Sequence, residues 1–160
     1  MTTTQVSGTV ATRRQVLVGI GAAGIAAATM SVFAPLARAE FESIDEALKA
    51  TLGSAVPAEG RIELDVPQIA ENGNVVPIGF DIDSPMTADD YVKSAHVFAD
   101  GNPNPDVASV HFTPACGAAI CATRMRLAKT QNIIVIAEMS DGSFYTAKTE
   151  VKVTIGGCGG

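Results

Sequence analysis

The chain has 160 residues, with 17 Asp and Glu against 11 Lys and Arg, three cysteines and no Trp. That length holds one ordinary domain of roughly 100–150 residues with an appendage and excludes two large ones. Its apolar content of 47% is unevenly spread, because residues 15–37 carry no charge at all.

The uncharged stretch follows Arg13-Arg14 and ends at Ala37-Arg38-Ala39. A basic start, a weakly apolar middle rich in Ala and Gly, and a small-x-small end are the parts of an export signal cut after Ala39. The adjacent Arg13 and Arg14, with Val16 and Leu17 close behind, predict the twin-arginine route to the periplasm, in which the protein folds before export. An uncleaved anchor fits less well, since Ala and Gly dominate the stretch and the cleavage pattern follows at once. No lipobox cysteine is present, so the mature protein is expected to be soluble and free of the membrane.

The expected organisation is therefore a signal peptide over 1–39, a carrier-sized domain over 40–155 and a glycine-rich arm over 156–160. Removing the signal leaves 8 Lys and Arg against the same 17 acids, a net charge of −9. Such a surface repels nucleic acid and anionic lipid. Cys116, Cys121 and Cys158 all remain, and outside the reducing cytosol an odd count leaves at least one thiol unpaired.

The first element of the mature chain reads as a helix. Ser43 and Glu46 have capping-box spacing, Phe41, Ile44, Leu48 and Leu52 fall on one stripe, and Gly53 suits the stop. Beyond Pro57 the period changes to two: Ile62, Leu64 and Val66 alternate with acids, and Val75 to Ile82 follows the Asn72-Gly73-Asn74 turn. Tyr91 to Ala99, Val107 to Phe112, the alternation around Met125 and Leu127, Ile133 to Met139, and Phe144 to Ile155 after Asp141-Gly142 complete the set. About seven short strands in about 120 residues predict an all-β fold, an immunoglobulin-like antiparallel β-sandwich with one short N-terminal helix.

The strand pattern stops at Gly156-Gly157-Cys158-Gly159-Gly160. Four glycines around one cysteine remove every neighbouring side chain and predict an exposed thiol on a mobile tip. From Ile155 to Cys158 the extended chain spans roughly 10 Å, slim enough for a narrow channel. This is the geometry of a carrier presenting a covalently held group to several enzymes, as a swinging arm does.

The Arg13-Arg14 signal, the small sandwich with Asn102-Pro103-Asn104-Pro105, Thr123-Arg124-Met125-Arg126-Leu127 and Ser140-Asp141-Gly142-Ser143, and the terminal pentapeptide together resemble the SoxY family. These are the sulfur-carrier subunits of the periplasmic thiosulfate-oxidising (Sox) system. The terminal pentapeptide is the specific part of the resemblance. It implies that Cys158 is the covalent attachment point, that Gly156, Gly157, Gly159 and Gly160 supply flexibility, and that a SoxZ-like sandwich subunit forms a heterodimer with the chain. It also implies a haem-containing enzyme that couples thiosulfate to the cysteine, a hydrolase that releases sulfate, and a sulfur dehydrogenase as an optional partner that oxidises the remaining cysteine persulfide. All of that chemistry lies outside the carrier, which needs no cofactor or metal of its own and is not an enzyme.

Cys116 and Cys121 depart from the one-cysteine form of that family. Three alternatives stand: a small-loop disulfide, two buried reduced thiols, or a link from one of them to Cys158 that locks the arm. As a zinc site the pair lacks partners, with only His96 and His111 on offer. Those histidines lie mid-strand and read as packing residues. Asp81, Asp83, Asp89 and Asp90 lack calcium-loop spacing, and Arg124 with Arg126 reads as a polar sandwich face. An exported thiol-disulfide redox protein would want a Cys-x-x-Cys, which is missing, and a purely structural sandwich leaves the glycine-flanked thiol without a task.

Overall fold

A computed structural model of the chain describes residues 43–157. The expected export signal with Arg13, Arg14 and Ala39, the stripe residue Phe41, and Cys158, Gly159 and Gly160 lie outside the described residues.

The helix forms as its end signals dictate. α1 runs Ile44–Leu52; Ser43 is extended, and its Oγ accepts the Glu46 N–H at 3.3 Å. Gly53, at φ 60°, turns the chain away and donates its N–H to the Lys49 carbonyl, a left-handed stop that costs glycine least.

Nine strands follow among the described residues: β1 (Ala58–Glu59), β2 (Ile62–Asp65), β3 (Ile69–Asn72), β4 (Val76–Ile82), β5 (Val92–Ala99), β6 (Asp106–His111), β7 (Ala119–Met125), β8 (Gln131–Met139) and β9 (Phe144–Ile155). A three-stranded antiparallel sheet has the order β2-β4-β7, and a larger sheet has the order β1-β9-β8-β5-β6 with β3 also on β9. The main ladders are antiparallel, as expected for the all-β sandwich. β1 and β3 add parallel to the free edge of β9, at Ala58↔Tyr145 and at Ile69↔Lys152 through Asn72↔Ile155. Two and four residues without clean alternation are too short to announce themselves in sequence.

The core sits between the sheets. Val76, Ile78, Phe80 and Ile82 from β4 meet Val97, Ile133, Val135 and Val151, the two inner faces of a sandwich. β8 is buried on both sides because α1 covers the other face: Ala47 packs on Phe98, Ile134 and Ile136, with Ile44, Leu48, Leu52 and Phe144 around them. That second layer explains why the Ile133 to Met139 run is continuous rather than alternating.

Candidate functional site

The chain leading to Cys158 is held by backbone alone. At the end of β9, Gly73 donates its N–H to the Ile155 carbonyl at 2.7 Å, and its own carbonyl accepts the Leu127 N–H at 2.8 Å. The Leu127 carbonyl in turn accepts the Gly157 N–H at 2.9 Å. Leu127 is fully buried, so both of its main-chain groups need these partners.

The three glycines there serve close approach. A Cβ on Gly73 would lie 2.2 Å from the Leu127 oxygen and 2.7 Å from the Gly157 nitrogen; on Gly156 it would lie 2.2 Å from the Ala128 oxygen, and on Gly157 2.7 Å from the Gly73 oxygen. None of the three has a left-handed φ, so space and not conformation demands glycine. Gly156 is fitted against Ala128, and Gly157 is buried. Gly159 and Gly160 are not among the described residues.

The interlock is braced from behind. Asn102 donates from Nδ2 to the Arg126 carbonyl at 2.9 Å, and its Oδ1 accepts the Ala128 N–H at 3.0 Å and the Gln131 amide at 2.8 Å. One side chain thus grips the residues on both sides of Leu127. Val75 and Ile155 flank the interlock with 61% and 65% of their surface exposed.

The other two cysteines occupy the far end of the same sheet. Cys116 is exposed in a single 3-10 turn, Pro114–Cys116, closed by Gly117 at φ 73°. Hydrogen bonding from Thr113, the backbone first and then the hydroxyl, holds its thiol below the ordinary value; Thr113 Oγ1 lies 3.7 Å from Sγ. Cys121 lies within β7 opposite Phe80, half-buried against the core. Both are free thiols, and the small-loop disulfide among the three alternatives is not formed. The buried-thiol alternative fails for Cys116 too, because the turn presents it to solvent while β7 directs Cys121 inward. Small residues such as Ala119 and Ala122 hid this part of β7 in the sequence, where the alternation shows only around Met125 and Leu127.

The third alternative, a link from either cysteine to Cys158, falls on a residue outside the described ones.

The family model for the sulfur oxidation protein SoxY matches residues 48–158, a span that ends on Cys158. The chain belongs to the SoxY family. It is similar to the sulfur carrier protein SoxY from Chlorobium limicola f thiosulfatophilum, with 35% identity and a TM-score of 0.60 over 71% of this chain and 97% of that one. A superoxide reductase (neelaredoxin) from Ignicoccus hospitalis matches at 17% identity and a TM-score of 0.52, covering 59% of this chain and 80% of that one, which is a likeness of fold alone. No curated protein sequence matches significantly.

Within this SoxY-family sandwich the remaining candidates fall on two outer faces. Beside α1, one row across the larger sheet is His111–Ser94–Glu138 and the next contains Ser109 and His96. His96 Nε2 lies 3.1 Å from Ser94 Oγ and Nδ1 lies 2.9 Å from Ser109 Oγ, so both ring nitrogens have partners. Burial first and the neighbouring His111 second push the His96 pKa down, against the pull of Asp106 and Glu138. Glu138 pairs with Lys93 at the rim. These contacts form a patch that sequence spacing did not reveal, since its members come from three strands.

The outer face of the three-stranded sheet carries Glu63, Asp65 and Asp81 with Arg124 at its edge, all exposed. Asp89 and Asp90 lie in the bend before β5. Among the described residues no three His, Cys, Asp or Glu side chains gather as a metal site, and no helix is long and apolar enough to cross a membrane.

Proposed function

We propose that the protein is the sulfur-substrate carrier of a periplasmic thiosulfate-oxidising system, with Cys158 as its covalent attachment point and no catalysis of its own. The observation that carries this reading is the family match running to Cys158, the one cysteine set between paired glycines. The thiolate form of Cys158 joins the outer sulfur of thiosulfate in a two-electron oxidation, giving a cysteine S–S–sulfonate, with both electrons passing to the haem-containing partner. Water then cleaves the bond to the sulfonate at a hydrolase, releasing sulfate and two protons and leaving a persulfide on the carrier. The sulfur dehydrogenase takes six electrons from that outer sulfur while three waters supply its oxygens and lose six protons, and a second hydrolysis releases it as sulfate with two protons and returns the thiolate.

A SoxZ-like subunit completes the carrier as a heterodimer. Export through Arg13-Arg14 with cleavage after Ala39 places the protein in the periplasm. An exported form starting elsewhere than Glu40 would refute that cleavage site.

The test is Cys158→Ser in the reconstituted system. Thiosulfate-dependent sulfate release should vanish, intact-mass measurement should no longer find a thiosulfate-derived adduct on the chain, and stability should change by less than about 0.5 kcal/mol, as for substitutions away from the core. Undiminished sulfate release by the Ser variant refutes the carrier reading.

A further inference from the structure

We propose that the unpaired edge of β7 docks a second copy of this chain, joining two three-stranded sheets antiparallel into one six-stranded sheet about a two-fold axis at Ala122. The inference does not involve Cys158 and is independent of the carrier reading.

Among the described residues the sandwich has several edges, and they are protected unequally. β2 is four residues long, carries Glu63 and Asp65 and is followed by Pro67. β6 begins with Asp106, and its pairing with β5 is broken by a register shift between Val97 and Phe98. The outer side of β9 is covered by β1 and β3, themselves only two and four residues long. Short length, charge, proline and bulges are the devices by which a sheet edge avoids pairing with another chain. β7 pairs with β4 alone, over seven residues in unbroken register from Ile82↔Ala119 to Val76↔Met125. It contains no proline, its one charge is Arg124, and Ile120 has 58% of its surface exposed. Such an edge presents a row of N–H and C=O groups ready for another strand.

Charge on the outer face of the sheet selects the occupant. One row across the three strands reads Glu63–Asp81–Ile120 and the next Asp65–Gly79–Ala122, with Arg124 beyond them opposite Pro77. Glu63 directly opposite Asp81 is a like-charge pair, which costs stability. Arg61, just before β2, is turned over the Tyr145 ring, 5.1 Å from its centroid. A second β7 laid antiparallel about Ala122 sets Ile120 opposite Arg124 of the second copy, Cys121 opposite Thr123 and Ala119 opposite Met125, so that all seven residues pair. With Cys121 or Thr123 on the axis instead, two residues of each β7 run past the end of the other. In the Ala122 register the arginine stem of the second copy covers Ile120, and its backbone stands two strand spacings, about 9.6 Å, from that of Asp81. The guanidinium then meets the acidic row. The contact is isologous, so each copy gives one arginine and receives one. One strand edge and one row of side chains bury less than a standard interface, and the dimer is weak and reversible.

The experiment is sedimentation of the exported chain over about 1–200 μM, with dithiothreitol present so that no cysteine link contributes. A reversible monomer–dimer equilibrium is expected, with a dissociation constant on the order of 10 μM. Ile120→Lys sets two lysines against the arginines of the facing copies and should weaken the dimer more than about tenfold. Arg124→Glu adds an acid to the acidic row on each side and should weaken it similarly. Combined, the two substitutions face each other as Lys–Glu pairs and should restore association to within about threefold of the wild type. Both positions are exposed, so the urea midpoint of each variant should stay close to that of the wild type.

A monomer throughout that range overturns the proposal, as does association that either single variant leaves unchanged or that the double variant fails to restore. If the chain alone stays monomeric while Ile120→Lys loses a SoxZ-like subunit that the wild type binds, the edge belongs to that subunit and the second copy is refuted.

Discussion

The two ends of the three-stranded sheet are built in opposite ways. At one end Cys116 is exposed in a short turn, and Thr113 favours its thiolate. By the usual signs of thiol reactivity, exposure and a lowered pKa, it is the reactive cysteine of the described residues. At the other end Gly73, Gly156 and Gly157 meet the backbone of Leu127 and Ala128, and close backbone approach replaces side-chain contacts. One end is thus built by side-chain and hydroxyl contacts around a thiol, the other by backbone fitted to backbone.

The largest expected effect is at the interlock. Leu127→Ala removes a fully buried side chain whose backbone carries two of the interlock bonds. It should destabilise the protein by about 2–5 kcal/mol, seen as a lower urea midpoint. A cost below about 1 kcal/mol would mean that this end is loosely packed.

Asn102→Ala should have an intermediate effect. It strips partners from the Ala128 N–H and the Gln131 amide, and unsatisfied groups of this kind cost about 1–3 kcal/mol. The loss should come with faster exchange of the Leu127 and Gly157 amides, while an unchanged Gly157 amide would show that Asn102 does not brace the interlock.

The smallest effect should come from the opposite end. Thr113→Val removes the hydroxyl that helps hold the Cys116 thiol down, so the midpoint of its alkylation rate against pH should move upward. Stability should stay within about 0.5 kcal/mol because the turn is exposed. Below the wild-type midpoint the variant should react more slowly at Cys116 and no differently at Cys158. Equal slowing at both peptides would break the separation of the two ends.

How much of this was legible in the chain differs by element. Ser43, Glu46 and Gly53 announced α1 to the residue, because a capped helix is specified by contacts within its own length. The alternation of Val76, Ile78, Phe80 and Ile82 announced β4, since a half-buried strand carries its burial in a period of two. Phe144 to Ile155 was bounded correctly at both ends for the same reason. β1, β3 and the start of β7 were not announced, because their pairing depends on edges offered by strands distant in the chain.

Sequence by itself thus determined the all-β class, the helix and the main strands, all of them properties of local pattern and composition. Only the tertiary structure decided what Gly156 and Gly157 do. In sequence they read as freedom, because a glycine's neighbours along the chain impose nothing on it. In the fold their neighbours are Ala128 and Gly73, and the missing side chains become the space into which two other backbones close. The same holds for His96, whose partners Ser94 and Ser109 and whose lowered pKa arise from strands laid side by side. Backbone-to-backbone approach and cross-strand rows depend on which segments the sandwich brings into register, and that information is spread over the whole core.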